Sequence, residues 1–480
     1  MLSSVAATLY AALTSYASGA SSYHLFFEAV LLVAVLWLLL RKSYRPKPKT
    51  ELTDKMIDEL IAEWKPEPLV PDTDPDHYAL NRKLVDGKVG KYVTIEGKQY
   101  LNMATMNFLG FIGDPNIEAV AKKTILKYGV GSCGPRGFYG TVDVHLDLEK
   151  QISEFLGVEE TVLYSYGFAT IASAIPAYAK RGDIIFCDKA ANFAIQKGLQ
   201  ASRSRIEWFE HNDVADLERL LQQQAEKDRQ NPKKAKVTRR FLVIEGIYLN
   251  TGSVCALRKM VDLKWKYQLR IFIDESLSFG VLGRRGRGVT EHFGVPIEDV
   301  DMVMASLEYG MASTGGFCSG RSFVVEHQRL SGVGYCFSAS LPPLLATAAG
   351  EALSLIQEGP ERLRRLATVT ADFAAALSRR LTADGARFKL VGHELSPVMH
   401  LKCAEPAVPA SAAAKALDKI VDEVFETAAI ALTRARYLET EEAFAPEPSI
   451  RIALNSELSQ KELNMSVDAI ADAAAQVEIK

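Results

Sequence analysis

The sequence contains no lysine over a long central stretch. Lysine and arginine together number 56 among the 480 residues, yet no lysine occurs between Lys266 and Lys389. A reaction that needs a lysine amine as its nucleophile therefore cannot take that amine from this stretch. The net charge of −3 also leaves no overall positive charge of the kind that nucleic-acid-binding proteins carry.

The cysteines form no Cys-x-x-Cys pair and show no metal-ligand spacing. In a chain of this length, their even number does not by itself indicate a disulfide framework. We expect reduced, mostly buried thiols in a cytosolic environment, and no metal site. The six cysteines are Cys133, Cys187, Cys255, Cys318, Cys336 and Cys403.

One long hydrophobic run lies near the N-terminus. Leu25–Leu40 is apolar apart from Glu28, and with Tyr23 the run approaches the length that spans a bilayer. We predict a transmembrane helix over residues 23–40 and a lumenal segment over residues 1–22. A signal peptide is one alternative, and a helix lying in the membrane or against a partner is another, because Glu28 is costly in lipid.

Positive charge follows this run, and no basic region precedes it, which disfavours the signal peptide. Positive residues prefer the cytoplasmic side of a membrane, so the rest of the chain is predicted to be cytosolic. The positive residues are Arg41, Lys42, Arg45, Lys47 and Lys49.

Residues 41–90 are predicted to hold a juxtamembrane amphipathic helix and a linker. Four apolar residues recur at helical spacing within Thr53–Trp64, and the opposite face is acidic. Because of that acidic face, we favour packing on the globular body or on a partner over binding to anionic lipid. The apolar residues are Ile57, Leu60, Ile61 and Trp64, and the linker prolines are Pro66, Pro68, Pro71 and Pro75.

From about residue 91, short apolar runs alternate with helical stretches, which predicts an α/β fold with a buried, mostly parallel sheet. Functional sites are then expected at the carboxyl ends of the strands. The predicted strands are Thr161–Tyr166, Asp183–Asp188, Phe241–Glu245, Arg270–Asp274 and Asp301–Ala305. The predicted helices include Asp216–Gln224 and Leu257–Tyr267, and Glu226–Arg240 is predicted to be a solvated loop or helix end.

The pattern changes from about Leu355, where alanine, arginine and leucine recur at helical spacing. Strands are predicted there at Phe388–Val391, Val398–Cys403 and Ser449–Leu454. We therefore predict a large domain over residues 91–350 and a smaller C-terminal α+β domain over residues 351–480.

Two motifs indicate chemistry. Tyr128–Thr141, YGVGSCGPRGFYGT, is rich in glycine, which lets backbone approach a ligand or a neighbouring subunit closely, although such a loop is often structural. Asp274–Gly280, DESLSFG, places an aspartate at a strand end. That carboxylate suits the pyridine nitrogen of a cofactor, and a helix-capping role is the alternative.

Together these blocks resemble the α-oxoamine synthase family, the fold-type-I pyridoxal-phosphate (PLP) enzymes that condense an amino acid with an acyl-CoA. The resemblance implies a PLP-dependent transferase fold, with a mostly parallel central sheet and a smaller C-terminal domain. The blocks match in order over about residues 90–460. They are Asn107–Phe111, Tyr128–Thr141, Ser165–Thr170, Asp274–Gly280, Gly286–His292, Gly315–Phe317 and Phe337–Pro343.

Three positions that handle the cofactor in this family are changed. The resemblance places the Schiff-base lysine at Tyr309, a ring-stacking histidine at Asn192 and a second histidine at Leu277. Tyrosine cannot form an imine, asparagine is a poor stacking group and leucine has no proton to give. Asp274 matches the family's cofactor aspartate, and we interpret it as vestigial. We therefore expect no catalytic and no cofactor-binding residue in this chain.

Within the family, this profile is that of a non-catalytic subunit. The resemblance implies a lysine-bearing partner subunit that holds PLP, small activating subunits, ORM-like regulators and an endoplasmic reticulum membrane location. It implies L-serine and palmitoyl-CoA as substrates of the complex. Two alternatives stay open: a PLP enzyme that recruits Lys189 or Lys197, and a lipid-metabolism scaffold or sensor with no synthase partner.

The resemblance also suggests residues that complete an active site across a subunit interface, with plain packing at a large interface as the alternative. Ala339 stands where relatives carry a threonine that reaches the neighbour's PLP phosphate, which puts that contact in doubt. Arg451 matches an arginine that binds the substrate carboxylate, and a structural salt bridge is the alternative. The interface candidates are Cys133, Gly134, Arg136, Tyr139, Asn192, Ser338 and Ser340.

Overall fold

The computed structural model describes residues 21–40, 52–70, 82–382, 387–405 and 408–479, with a few single residues and pairs between 11 and 80. The chain divides into two compact units, Met1–Arg82 and Lys83–Lys480. Most of the predicted lumenal segment 1–22 lies outside the described residues. So do Pro71 and the positive residues Arg41, Lys42, Arg45, Lys47 and Lys49.

The first unit contains the two predicted N-terminal helices. Helix α1, Ser22–Leu40, is the one helix among the described residues that is long and apolar enough to cross a membrane, by length and composition. Helix α2, Asp54–Glu63, begins after Thr53, whose hydroxyl accepts the Met56 N–H at 3.4 Å. The apolar face of α2 is exposed within this unit, so what covers it stays a prediction.

Strands of the second unit fall into three sheets. In chain order they are β1 Val85–Asp86, β2 Tyr92–Ile95, β3 Lys98–Asn102, β4 Glu160–Tyr164, β5 Ile184–Asp188, β6 Arg205–Phe209, β7 Arg240–Glu245, β8 Arg270–Asp274, β9 Met302–Ser306, β10 Gly316–Gly320, β11 Phe388–Val391, β12 Val398–Cys403, β13 Ile430–Ala431, β14 Thr433–Arg434 and β15 Ile450–Ala453.

Helices connect and cover these strands. They are α3 Pro115–Tyr128, α4 Asp143–Leu156, α5 Gly167–Tyr178, α6 Phe193–Ser202, α7 Val214–Gln230, α8 Pro232–Ala235, α9 Leu257–Tyr267, α10 Val289–Phe293, α11 Ser322–Ser331, α12 Val333–Cys336, α13 Pro343–Glu358, α14 Glu361–Leu381, α15 Ala410–Ala428 and α16 Gln460–Gln476. A π-type turn at Arg136–Gly140 and a 3-10 turn at Ile297–Asp299 complete the set.

The central sheet has the strand order β4-β10-β9-β8-β7-β5-β6. Strand β10 is antiparallel to both neighbours, and the other pairs are parallel. Alternate residues of each strand enter two different cores: Leu242 and Ile244 of β7 face one side, and Phe241 and Val243 face the other. Burial of both faces explains why these strands read as continuous apolar runs, and it confirms the predicted fold class.

The C-terminal region has its own antiparallel sheet, in the order β11-β12-β15-β14. Its core contains residues from α14, α15 and α16. The predicted bounds of β11 and β12 match the structure, and β15 is one residue shorter at each end than predicted. The β2–β3 hairpin pairs with β13, so an early segment joins the sheet that includes this C-terminal strand.

Glu226–Arg240, predicted to be a solvated loop or helix end, is mostly exposed and contains the end of a helix. Helix α7 continues to Gln230, α8 follows, and β7 begins at Arg240. Gln224 donates to Asp228 at 2.7 Å along the helix, and Asp228 forms an ion pair with Arg240 at 2.5 Å. These polar contacts stabilise a stretch whose charged composition alone predicts only that it is exposed to solvent.

Candidate functional site at the strand ends

The four cofactor-related positions singled out from the sequence line one cavity. Asn192, Asp274, Leu277 and Tyr309 meet in a space of about 440 Å³. Asp274 is the last residue of β8, and Asn192 immediately precedes α6. The carboxyl ends of adjacent parallel strands meet at one edge of a sheet, which is why residues distant in sequence gather here.

The Asp274 carboxylate is already engaged by protein groups. Its Oδ2 accepts the side-chain amide of Asn192 at 2.8 Å, and its Oδ1 accepts the Ser276 N–H at 2.9 Å and hydroxyl at 2.5 Å. Asp274 is buried, and burial raises its pKa above the ordinary value. The position retains a carboxyl group, but both of its oxygens have partners.

Asn192 is held by three contacts and is not free to move. Its side-chain oxygen accepts the Ile195 N–H at 3.1 Å, which caps α6. Its side-chain nitrogen donates to Asp274, and its backbone N–H donates to Glu245 Oε1 at 2.8 Å. Asparagine therefore acts here as a cap and a bridge between two acidic residues.

Glu245 is a site residue that sequence reasoning missed. It ends β7 directly beside Asp274 in the sheet register, and its second oxygen accepts the Leu249 N–H at 3.0 Å. Burial, and then the neighbouring Asp274, raise the pKa of Glu245 well above its ordinary value. One signal for Glu245 was available in the sequence. Like Asp274, it is an acidic residue at the end of a predicted strand.

Tyr309 occupies the predicted lysine position as a largely buried side chain. Its ring lies 6.4 Å from that of Phe108, and burial raises its pKa to about 12. The preceding residue, Glu308, also lines the cavity, with its carboxyl group near the backbone N–H of Gly167, the first residue of α5, and burial raises the pKa of Glu308. A helix N-terminus is a natural anion site, and here the chain's own carboxyl group lies beside it.

These residues do not fit a covalently held PLP. Among the described residues that line the cavity, none is a lysine. Lys189 pairs with Glu210, Lys197 pairs with Glu441 at 3.0 Å, and neither lines the cavity. The Asp274 carboxylate, which would hold the ring nitrogen, already has protein partners, and the Glu308 carboxyl group lies beside the N-terminus of α5, where a phosphate would bind.

The glycine-rich loop is anchored by buried contacts. Arg136 is buried and forms a two-point ion pair with Glu149, at 2.8 and 3.2 Å. Glu149 also accepts the Leu163 N–H at 2.9 Å, which ties the loop to β4. Arg136, predicted as an interface candidate, thus has an internal structural contact.

Ser340 closes the loop from the opposite side. Its N–H donates to the Gly134 carbonyl at 3.0 Å, and its hydroxyl donates to the Gly140 carbonyl at 2.5 Å. A side chain at Gly140 would collide with the Gly134 carbonyl, so glycine is required there. Ser338 donates to the Gly334 carbonyl at 2.5 Å, and the Ala339 carbonyl accepts a hydrogen bond from Ser165.

Other candidates lie on the surface. Cys133 is exposed, and Tyr139 is fully exposed with a left-handed φ of 64°. The neighbouring Phe138, which was not a candidate, is 67% exposed. The candidates on the loop therefore divide into exposed residues and residues that hold the loop in shape.

Arg451 of β15 lies opposite His400, and its Nε is buried with no hydrogen-bond partner among the described residues. Arg451 forms no salt bridge with another described residue, so the structural salt bridge given as the alternative is not found there.

Comparison with known proteins gives a consistent family. The model of the aminotransferase class I and II family matches residues 98–470. The chain is 42% identical to serine palmitoyltransferase 1 of Dictyostelium discoideum, over 94% of this chain and 93% of that protein. It is 43% identical to long chain base biosynthesis protein 1 of Arabidopsis thaliana, over 84% of this chain and 81% of that protein. The chain belongs to the serine palmitoyltransferase 1 family.

Solved structures agree on the fold. A serine palmitoyltransferase from Sphingomonas wittichii superposes with a TM-score of 0.72 at 24% identity, covering 88% of this chain and 98% of that one. The 8-amino-7-oxononanoate synthase of Francisella tularensis gives 0.63 at 20% identity, covering 78% and 98%. At these identities the likeness concerns the fold, and it confirms the transferase architecture that the sequence predicts.

Proposed function

We propose that this chain is the non-catalytic, structural and regulatory subunit of serine palmitoyltransferase. That enzyme condenses L-serine with palmitoyl-CoA, releases CO2 and CoA, and gives 3-ketodihydrosphingosine, the first step of sphingolipid long-chain-base biosynthesis. The observation that carries the proposal is the strand-end cavity, where Tyr309 stands in place of the lysine. In this proposal the PLP belongs to a lysine-bearing subunit 2, and this chain alone is inactive.

Exposed aromatic side chains support an interface with a partner. Five large side chains are exposed on the cavity lining and on the segments linked to it, and exposed apolar side chains of this kind are typical of protein–protein interfaces. The elements that carry them are linked by Ser165 and Ser340, which bond to the segment 338–340 and to the glycine-rich loop. The exposed fractions are 67% for Phe138, 101% for Tyr139, 60% for Tyr166, 50% for Phe168 and 80% for Phe337.

The physical role of this chain is then to present a fixed surface. The buried ion pair of Arg136 and Glu149 orders the loop, and Tyr139 points outward from it. A preformed loop loses little conformational entropy on binding, so it adds affinity without new chemistry. We propose that Cys133, Gly134 and Tyr139 complete the active site of subunit 2 across this interface.

The proposed location is the endoplasmic reticulum membrane, with one span and a cytosolic body. Helix α1 has the length and the mean hydropathy, 2.2, of a membrane span. Membrane lipid, small activating subunits and ORM-like regulators are the further proposed partners. The exposed apolar face of α2 is one surface that such a partner could cover.

Co-expression tests this proposal directly. The full chain, a lysine-bearing subunit 2, and both together are purified in lipid nanodiscs and assayed for condensation of L-serine with palmitoyl-CoA and for PLP absorbance. We expect turnover in the co-expressed sample and no PLP in the chain alone. PLP and turnover in the chain alone would overturn the proposal, and K189M and K197M would then identify the lysine. Failure to co-purify with subunit 2 would instead favour a scaffold or sensor.

A matched pair of variants tests the interface. Y139A removes a fully exposed ring at the proposed interface and is expected to weaken co-purification and turnover. W265A removes a ring that is 64% exposed on α9, outside the proposed interface, and should leave both unchanged. Equal behaviour of the two variants would contradict the proposed role of the loop.

A further inference from the structure

A second and larger cavity shares no lining residue with the strand-end site. Its volume is about 1170 Å³. It lies between the loop 281–287, helix α10, the end of α13 and the first turns of α14. The family resemblance assigns no role to this space.

Positive charge dominates its rim. Arg284, Arg285, Arg287 and Arg364 line the cavity, and Glu291 is the one acidic residue among the described lining residues. The Glu291 carboxylate accepts the backbone N–H groups of Arg285 at 3.0 Å and of Arg287 at 3.1 Å. It therefore stabilises the loop backbone, and it forms no ion pair with an arginine side chain among the described residues.

Three of these arginines lack a protein counter-charge. Within the described part of the chain, Arg284, Arg285 and Arg287 form no ion pair, whereas Arg364 pairs with Glu361 at 3.2 Å. The Nε of Arg287 is buried without a hydrogen-bond partner among the described residues. A buried donor without an acceptor is costly, and an anion bound in the cavity would supply one.

The loop is shaped to present these side chains. Gly283 has φ +88°, and a side chain there would collide with Glu291, so the turn needs glycine. Gly286 has φ +80° and brings the loop back against Gly280. The arginines thus project from a backbone fixed by two turns and by the Glu291 contacts.

The floor of the cavity is apolar. The Arg287 guanidinium lies over the Phe155 ring at 5.6 Å from its centre, which fixes one edge of the rim. Guanidinium groups match phosphate oxygens in geometry and charge, and the floor can cover an alkyl chain. The buried floor residues are Phe155, Leu282, Ile356, Leu363 and Leu366.

We propose that this cavity is a second binding site, for an anionic amphiphile with a phosphate head and an alkyl chain. Arg284, Arg285 and Arg287 hold the phosphate, and Leu363 and Leu366 contact the chain. The positive rim alone would accept free phosphate, and the apolar floor alone would accept any alkyl chain. Their juxtaposition selects a ligand that carries both groups.

Photo-crosslinking tests the site in the full chain, reconstituted in neutral phosphatidylcholine nanodiscs. The probe is octyl phosphate with a diazirine in its chain, and crosslinked residues are mapped by mass spectrometry. Competitors are octyl phosphate, octanol and inorganic phosphate. The double variant R284Q/R285Q removes two exposed rim charges. R181Q is the control, because Arg181 is exposed and lies outside the cavity.

We expect saturable labelling at residues 363–367, displaced by octyl phosphate and weakened by salt. The double variant should bind at least about tenfold more weakly, as expected for the loss of a charge-assisted contact, while R181Q should bind like the parent. Competition by octanol as effective as that by octyl phosphate would overturn the proposal. Equal competition by inorganic phosphate, or unchanged labelling of R284Q/R285Q, would do so as well.

Discussion

The ion pair between Arg136 and Glu149 holds the glycine-rich loop from inside, and each partner can be removed separately. Their side chains are only 5% and 6% exposed. The R136Q variant would leave the Glu149 carboxylate buried, with the Leu163 N–H as its remaining partner. A buried charge left without its counter-charge is strongly destabilising.

The expected cost of R136Q is about 3–5 kcal/mol, the usual range when one partner of a buried pair is lost. At about 2 °C per kcal/mol, the low end for large domains, this lowers the midpoint of thermal unfolding by roughly 6–10 °C. The double variant R136M/E149L removes both charges. Its loss of stability should be much smaller than the sum of the losses in the single variants R136M and E149L.

The midpoint is measured by thermal unfolding of the full chain in nanodiscs. All variants are heated at one fixed scan rate, because large chains often unfold irreversibly. R181Q, on the surface, should stay within about 1 kcal/mol of the parent. If R136Q unfolds like R181Q, the buried pair does not hold the loop. If the double variant is as damaged as the sum of the singles, lost packing and not the stranded charge explains the effect.

Three further predictions concern the strand-end cavity. Because burial, and then Asp274, raise the pKa of Glu245 above its ordinary value, the folded chain keeps a proton that the unfolded chain releases, and stability falls as pH rises above that ordinary value. Denaturant unfolding across pH should show a slope for E245Q that is shallower than the parent's by up to about 1.4 kcal/mol per pH unit, and parallel profiles would contradict this prediction. N192A should cost about 1–2 kcal/mol in the same assay, through loss of the α6 cap and of the bond to Asp274, whereas N192D keeps the cap but adds a carboxylate beside Asp274. Y309K alone should gain no visible PLP absorbance, because Glu308 and Asn192 keep their present partners; a gain would show that the lysine alone was limiting.

Much of the fold could be predicted from the sequence. Strand β8 and helix α9 begin and end where the pattern predicts, because the sheet is buried on both faces and its central strands read as apolar runs. Strand β10, GFCSG, was not predicted, since it carries two glycines and a serine. Close packing explains why this strand contains glycine, because a side chain at Gly316 would collide with Thr170.

The site was predictable only in part. Asn192, Asp274, Leu277 and Tyr309 follow from motif positions, and the topology of a parallel sheet brings them together. The position of Glu308 beside the N-terminus of α5 depends on how a turn after β9 folds against another helix, which residue spacing does not encode. In the same way, the motif alone predicts Arg136 as an interface residue. It is buried because its guanidinium pairs with Glu149 on α4.

The polar groups of the strand-end cavity explain how the fold persists without a lysine. A helix N-terminus and a buried aspartate each need a partner, and leaving either unsatisfied costs stability. Here the Glu308 carboxyl group lies beside the first, and Asn192 donates a hydrogen bond to the second. Both groups oppose cofactor binding in this cavity, since an incoming phosphate would have to displace a carboxyl group and a pyridine nitrogen would have to displace an amide. The exposed aromatic side chains on the cavity lining and on the segments linked to it support the proposed role of this chain as a structural partner of subunit 2.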